Sequence, residues 1–394
     1  MVYQNCMKKN SHPLSFTDSS KPICVVVTVT NWDEPPRIRH EVSKQLSREF
    51  NVLYFQLFQT SKVKRRVEKI NDSLIVEKVG FGFRGIGRLF KYFNALHKIY
   101  RKSIAILIAN KLKKIPTRSS LILVNFQYDF PEIMEMNCFE KAFYFCNDDF
   151  INQDLNCTES EIINKERLQL EVIQRSDAVI TVSYPLKDNI NKHHSNVSVI
   201  LSGHSFDLDL SRSIQHTKQD KIHVCYMGFL NNGISIDWLN SILSNENMFL
   251  TIIGPIEIPE VGEDFYKYKN FKHINFLTGN ELQLELMKHD VMLMPYSSPI
   301  ENAITTVPAK LFQYLAVGKP IVSSSLENLI ELPIGFVYKS KTQHEFIENI
   351  KKSVLDDNEV MKEERIQFSS KHTWYARGNE LIELFNGGKC NQIS

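Results

Sequence analysis

Short, mainly apolar runs recur along the chain, and amphipathic stretches of helical period separate them. The runs at 23–29, 52–57, 74–79, 121–124, 142–145, 178–182, 197–201, 222–227, 249–253 and 291–294 are rich in Val, Ile, Leu and Phe. Runs of this length without polar alternation suit strands buried on both faces, as in parallel sheets covered by helices. Helical patterns fall between them, for example at 41–49 and 86–114. Strand and helix in alternation predict an α/β chain built on parallel sheets.

The stretch 290–325 shows one such unit whole. An apolar run at 291–294 is followed by a polar loop over 296–307. Pro308 then opens a helix, where its fixed φ and missing N–H cost little. Leu311, Leu315 and Ala316 share one face, Gly318 stops the helix, and the next strand begins at 321–323 after Pro320. Ligands of open parallel sheets sit beyond the carboxyl ends of the strands. The loop, the helix start and Lys310 are therefore expected to face that crevice, a setting suited to a diphosphate.

The 394 residues, 43% of them hydrophobic, predict two or three domains of about 100–200 residues each. The expected organisation is a mobile tail at 1–20, a first sheet domain at 21–210, a polar linker at 211–220, a second sheet domain at 221–365 and a terminal helical segment at 366–394. Seven cysteines without a C-x-x-C pair fit reduced thiols of a cytoplasmic protein. The first twenty residues hold no apolar core of a signal peptide, and no run approaches the roughly 18–20 apolar residues of a membrane span. No His/Asp constellation or strand-end D-x-D is visible, so neither a metal nor a cofactor is expected.

Charge changes the picture in one place. Residues 61–120 carry 16 Lys and Arg against 3 Asp and Glu, in a chain whose net charge is only +2. The helical pattern at 86–114 combines these cations with an apolar stripe of Leu89, Phe90, Phe93, Leu96, Ile99 and Tyr100. Either the segment 84–118 meets an anionic membrane surface, or the stripe packs on the first sheet and the charges are simply solvated. No nucleic-acid motif accompanies the patch, and no nucleic-acid partner is expected. Gly80-Phe81-Gly82-Phe83-Arg84-Gly85 is a literal G-x-G-x-x-G. It does not follow the first strand, and Arg101 and Lys102 stand where an acidic ribose ligand belongs, so it reads as a Gly-rich turn.

Two strand ends carry candidate acceptor-side groups. The loop after the first strand offers Trp32, Arg37, Arg39 and His40, either as sugar contacts or as a solvated helix start. Cations at a helix start oppose its dipole, which favours an anionic ligand there. Asp148 and Asp149 follow the run at 142–145. They suit sugar hydroxyls or a base role, or else the cap of the next helix.

The text Pro308-Ala309-Lys310-Leu311-Phe312-Gln313-Tyr314-Leu315-Ala316-Val317-Gly318-Lys319-Pro320-Ile321-Val322 resembles the donor-binding segment of GT-B glycosyltransferases. It is nearest to the retaining family 4, or "glycosyl transferases group 1", of bacterial polysaccharide biosynthesis, whose usual text is P-x-K-x-x-E-Y-x-A-x-G-K-P-V-V. Looser similarities are Ser176-Asp177-Ala178-Val179-Ile180-Thr181-Val182-Ser183, the linker-like Ser202-Gly203-His204-Ser205-Phe206-Asp207, and Met227-Gly228-Phe229-Leu230 at the opening of the second domain. Lys371-His372-Thr373-Trp374-Tyr375-Ala376-Arg377 resembles the family's final helix, which crosses back to the first domain.

The resemblance implies two Rossmann-like domains facing across a cleft. It implies a metal-independent, retaining hexosyltransferase that moves sugar from a nucleotide-diphosphate donor to a glycan or lipid-linked acceptor. The location is cytoplasmic, on the inner face of the cytoplasmic membrane if the basic segment meets lipid. Lys310 and Thr305 are the implied catalytic residues of the donor domain, with Asp148 opposite. Gly228, Phe229, Leu230, Glu301, Thr306, Val307, Pro308, Ala309 and Gln313 are the implied donor-binding residues. The sequence departs from the family at two points. Thr305 and Gln313 replace two glutamates, and no Arg or Lys follows Gly228 before Lys267. A nucleotide-sugar epimerase and a non-catalytic binding partner in a polysaccharide assembly complex are therefore the alternative readings.

Overall fold

The computed structural model describes residues 16–58, 67–80, 94–115, 120–151, 157–214, 220–297, 307–326 and 330–387. The first half runs β1 (Ile23–Thr28), α1 (Ile38–Leu46), β2 (Asn51–Phe58), β3 (Val67–Asn71), β4 (Leu74–Gly80), α2 (Asn94–Leu112), β5 (Leu121–Asn125), α3 (Pro131–Met134), β6 (Lys141–Cys146), α4 (Glu159–Gln174), β7 (Ala178–Thr181), α5 (Tyr184–Asn191) and β8 (Val197–Val199). The second half runs α6 (Leu208–Ser213), β9 (Ile222–Met227), α7 (Ile236–Leu243), β10 (Met248–Ile253), α8 (Pro259–Phe265), β11 (Phe271–Ile274), α9 (Gly279–Met287), β12 (Val291–Met294), α10 (Lys310–Ala316), β13 (Ile321–Ser324), β14 (Val337–Ser340), α11 (Gln343–Asp356), α12 (Glu359–Ser370) and α13 (Trp374–Phe385).

Two sheets result, with strand orders β3-β4-β2-β1-β5-β6-β7-β8 and β11-β10-β9-β12-β13-β14. Every pairing is parallel except β3 with β4. β1 is buried along its whole length, as a β-branched run at the centre of a parallel sheet must be. Each sheet reverses its strand order once, between β1 and β5 in the first and between β9 and β12 in the second. These reversals are where open α/β sheets leave a crevice for ligands.

The chain crosses between the halves twice, and the crossings are stitched together. The His204 N–H donates to the His372 carbonyl at 3.0 Å, and the Trp374 N–H donates to the His204 carbonyl at 2.8 Å. A Cβ on Gly203 would lie 2.8 Å from the Trp374 nitrogen, so only glycine admits this approach. The terminal helix then returns to the first half as expected. Leu381, Leu384 and Phe385 of α13 join the core of the first sheet, and the Phe385 ring stacks 4.3 Å from that of Phe143.

The structure departs from the sequence reading at several points, and part of that reading lies outside the described residues. The terminal helical segment expected at 366–394 is divided between α12 and α13, because Thr373 caps α13 through Ala376 N–H while it bridges to His204. The expected linker at 211–220 begins inside α6, which Asp207 caps and Gln283 clamps; residues 215–219 lie outside the described residues. The helix after β6 is capped by Thr158 and Glu161, so Asp148 and Asp149 do not serve as that cap. Of the basic helix expected at 86–114, the described part is α2. Most of the expected tail also lies outside the described residues.

Candidate active site

The second sheet builds its crevice by letting two strands diverge. β9 and β12 pair at Val224–Val291 and Cys225–Met292. Beyond that point Tyr314 of α10 inserts its hydroxyl, which accepts from the Met227 N–H at 2.8 Å and donates to the Leu293 carbonyl at 3.4 Å. The tyrosine thus satisfies backbone groups that the opening leaves without ladder partners, and it fixes α10 against the gap. Phe312, two residues earlier, stacks 4.6 Å from the His372 ring, tying the same helix to the interdomain crossing.

Lys310 opens α10 and reaches into this gap. Its Nζ lies 4.2 Å from the centroid of the Tyr226 ring and 5.6 Å from that of Tyr296. Among the described residues, no hydrogen bond or ion pair reaches the amine. Desolvation lowers its pKa from 10.5 to about 7. A partly buried amine held between aromatic faces with no counter-charge is ready to receive an anion.

Gly228 ends β9 directly beneath it. Its φ is +135°, and a Cβ there would sit 2.9 Å from Lys310 Nζ and 3.2 Å from Tyr226 Oη. Glycine is required twice over, for the backbone conformation and for the space. Gly254, at the end of β10, has φ +134° and would push a Cβ to 2.3 Å from the Gly228 carbonyl. The two strand ends are therefore packed backbone on backbone, leaving room above them for a ligand.

A cleft of about 660 Å³ opens there between the two halves. Gly228, Phe229, Gly254, Phe276, Thr278 and Gln313 line its second-half wall, and Pro35, Pro36 and Lys44 approach from the first half. Arg37 crosses the cleft, its guanidinium 5.8 Å from the centroid of the Phe229 ring while Glu34 holds its Nε at 3.2 Å. Among the described residues, no group of three or more His, Cys, Asp or Glu is placed to hold a metal ion.

The structure sorts the sequence-derived candidates. Lys310, Gly228, Phe229 and Gln313 lie together at the crevice. Pro308 and Ala309 lead into α10, which begins at Lys310, two residues after the expected start. The side chains of Leu230 and Val307 belong to the core, so a ligand meets only their backbone. Glu301, Thr305 and Thr306 lie outside the described residues.

On the first half, His40 and Trp32 are held by contacts within the fold. The Arg37 N–H donates to His40 Nδ1 at 3.0 Å, and His40 Nε2 donates to the Asn31 carbonyl at 3.1 Å. This fixes a neutral tautomer, and burial lowers its pKa further. The Trp32 ring packs 5.0 Å from both His40 and Tyr54. Asp148 and Asp149 stand past the end of β6, and Asp149 N–H donates to Asp148 Oδ1 at 3.0 Å.

Three features escaped sequence reasoning. The aromatic pair Tyr226 and Tyr296 around Lys310 follows only from folding. The 276–279 wall of the cleft carries no charge to draw attention. Asp129 and His97, 3.9 Å apart beside the buried Arg101–Glu132 pair, come from segments with no shared motif.

No family model matches the chain, and no curated protein matches it. Solved structures do. The chain is similar to an E. coli trehalose-6-phosphate structure bound with UDP-2-fluoro glucose, at 12% identity and TM-score 0.67, over 94% of this chain and 99% of that one. It is similar to an alpha,alpha-trehalose-phosphate synthase (UDP-forming) from Burkholderia xenovorans in complex with glucose-6-phosphate, at 10% identity and TM-score 0.67, over 93% and 100%. A structure of TarM matches at 13% identity and TM-score 0.52, over 72% and 58%. Likeness at such identity speaks to architecture, and it does not extend to the narrower family 4. The chain has the GT-B fold of glycosyltransferases, two Rossmann-like domains facing across a cleft.

Proposed function

We propose that the chain is a glycosyltransferase that moves a sugar from a nucleotide-diphosphate donor to a hydroxyl of a glycan or lipid-linked acceptor, with retention, in cell-surface polysaccharide biosynthesis. The observation that carries this reading is Lys310, an amine at the strand-order reversal of the second sheet with no counter-charge among the described residues. In the reaction, the bond between the sugar's anomeric carbon and the diphosphate oxygen breaks. The acceptor oxygen bonds that carbon and gives up its proton, and negative charge grows on the departing diphosphate. Lys310 sits where that charge develops, in a dry setting that strengthens the attraction. Gly228 lets the backbone approach the phosphates closely, and Gln313 offers a neutral hydrogen bond to a ribose hydroxyl in place of a carboxylate. Support also comes from the E. coli structure with its UDP-sugar analogue. Retention is described for trehalose-6-phosphate synthase.

The outer face of α2 supports a position against an anionic membrane. The stretch 94–115 contains no Asp or Glu. Its inward cations are neutralised, Arg101 by Glu132 at 2.7 Å and Lys111 by Glu77. Lys98, Lys102, Lys113 and Lys114 are exposed and have no ion-pair partner among the described residues. Ile99 and Ile106, 61% and 60% exposed, lie two turns apart on the same helix. Apolar side chains between cations suit the headgroup region of an anionic bilayer. Among the described residues, no helix is long and apolar enough to cross a membrane.

The test incubates the purified chain with a panel of nucleotide-sugars and a membrane extract. Release of free nucleoside diphosphate with labelling of an acceptor is the expected result. Conversion of the sugar without release identifies an epimerase and overturns the reading. No release and no conversion with any donor leaves a binding role in its place.

A further inference from the structure

Four arginines are buried among the described residues: Arg39, Arg101, Arg365 and Arg377. Three of them have protein partners. Arg101 is held by Glu132, Arg365 by the Gly318 carbonyl and Asp357, and Arg377 by Glu380 and His372. Arg39 differs. It is 9% exposed, its Nε is buried without a hydrogen-bond partner, and no ion pair reaches its guanidinium among the described residues. The Phe126 ring centroid lies 5.8 Å from its guanidinium carbon. Burial disfavours its charge, as does Arg37, while Tyr54, Asp148 and Glu34 favour it.

Burying a guanidinium nitrogen without a hydrogen bond is unfavourable. Its place in the fold gives the arrangement a use. Arg39 stands in the first turn of α1, the helix that follows β1. Phe126 follows β5 directly. The side chain therefore lies over the carboxyl ends of β1 and β5, the strand-order reversal of the first sheet. This mirrors the position that Lys310 holds in the second sheet, on the opposite side of the cleft.

We propose that Arg39 binds an anionic group of the acceptor, a phosphate or a carboxylate, and so restricts the enzyme to acidic acceptors. The identity of this ligand as acceptor rests on the glycosyl-transfer reading above, whereas the anion site itself stands on Arg39 alone. A planar guanidinium with a buried, unpartnered Nε matches the paired oxygens of either group. Arg37 beside it reaches the donor half, 5.8 Å from the centroid of the Phe229 ring. A neutral sugar would leave the Nε as it is now, buried and without a partner among the described residues. An acidic one supplies the missing hydrogen bonds, and that difference is the source of selectivity.

The experiment is built on the full chain carrying Lys310→Ala, which removes the expected donor-phosphate site. Glucose 6-phosphate, glucuronate and glucose are titrated into it by calorimetry, then into the same chain with Arg39→Gln or Arg39→Lys added. The expected result is that at least one of the two acids binds tenfold or more tighter than glucose. Which acid does so distinguishes phosphate from carboxylate. Arg39→Gln should erase that preference, and Arg39→Lys should keep part of it.

Equal affinity for all three sugars overturns the proposal, as does an acid preference that survives Arg39→Gln. Should Arg39→Gln fail to fold, Arg39→Lys decides the matter, because losing the fork while keeping the charge must weaken acid binding and leave glucose unchanged. UDP titrated into the unmutated chain checks the donor reading separately. Failure of UDP to bind with Arg39-dependent acid binding intact removes the donor assignment and leaves this site standing.

Discussion

The amine of Lys310 lies 4.2 Å from the centroid of the Tyr226 ring, and Tyr226 is the last residue but one of the strand that ends at Gly228. The contact joins α10 to β9 across the crevice and keeps the amine aimed at the gap. Its cost is desolvation without a counter-ion among the described residues, so removing the amine should relieve the free protein and disable the liganded one. Lys310→Met is expected to raise stability by about 1 kcal/mol, a few degrees in melting temperature. Lys310→Ala should lower turnover about a hundredfold, the scale of losing one transition-state donor. Thermal melts and donor turnover check the pair of effects. Undiminished activity takes Lys310 out of the mechanism.

The depressed pKa gives the same site a pH signature. With the free amine titrating near 7 against 10.5 in the unfolded chain, the unfolded state holds the extra proton between those values. Stability should therefore rise with pH through that window, and Lys310→Met should flatten the rise. A bound diphosphate restores the charged form, so binding at pH 8.5 should take up close to one proton. Affinity for UDP should fall about tenfold per pH unit above 7. Calorimetry in buffers of different ionisation enthalpy measures the uptake directly.

How much of this was visible in the chain depends on what each residue touches. β9 and β12 were read at their observed limits because both faces are covered, leaving an unbroken apolar run. β11 and β14, with the texts FKHI and VYKS, lie at sheet edges and are half exposed, so their apolar pattern is diluted below notice. β3 alternates exposed and partly buried residues on the other sheet's edge. The donor helix was legible through Pro308, Lys310 and Gly318, which act locally. Arg39 was visible as a cation at a helix start, but its want of a partner is a property of Phe126 and Asp148, far away in sequence. The break at 371–373 was hidden for the same reason, since it is set by His204.

The glycines at the crevice should separate strain from crowding. Gly279 has φ +54° with nothing within 4 Å of an added Cβ, whereas the Cβ of Gly254→Ala would meet the Gly228 carbonyl at 2.3 Å. Gly279→Ala is expected to cost about 1 kcal/mol, the left-handed penalty alone. Gly254→Ala should cost clearly more and should also abolish UDP binding, because the Gly228 loop must shift. Urea titrations and UDP binding of the two variants provide the comparison.

The terminal helix ties the far end of the chain to the first domain. Leu381 is fully buried in a cluster whose other members are mostly residues before 200. Leu381→Ala is expected to destabilise by about 2–5 kcal/mol, and the loss should appear as early exchange of amides in β1 and β6 rather than in the second sheet. Hydrogen exchange read by mass spectrometry locates the effect.

The cations of α2 sort by partner, and the sorting predicts what membrane binding should depend on. Arg101 and Lys111 are held inward by carboxylates, so their charge is already compensated and their loss would disturb the fold. Lys98 and Lys102 face outward beside Ile99, and each lysine near an anionic surface contributes about 1 kcal/mol. Lys98→Gln with Lys102→Gln should therefore weaken binding to vesicles containing phosphatidylserine roughly thirtyfold, and Ile106→Asp should weaken it through the apolar contact. Neither change should alter turnover with a water-soluble acceptor, because α2 contributes nothing to the cleft walls named above. Binding should also fall as salt is raised, since the lysines are exposed and the attraction is screened within about 8 Å at physiological ionic strength. Vesicle flotation at low and high salt supplies the measurement, and a wild-type chain that stays off anionic vesicles at low salt would return α2 to being an ordinary solvated helix.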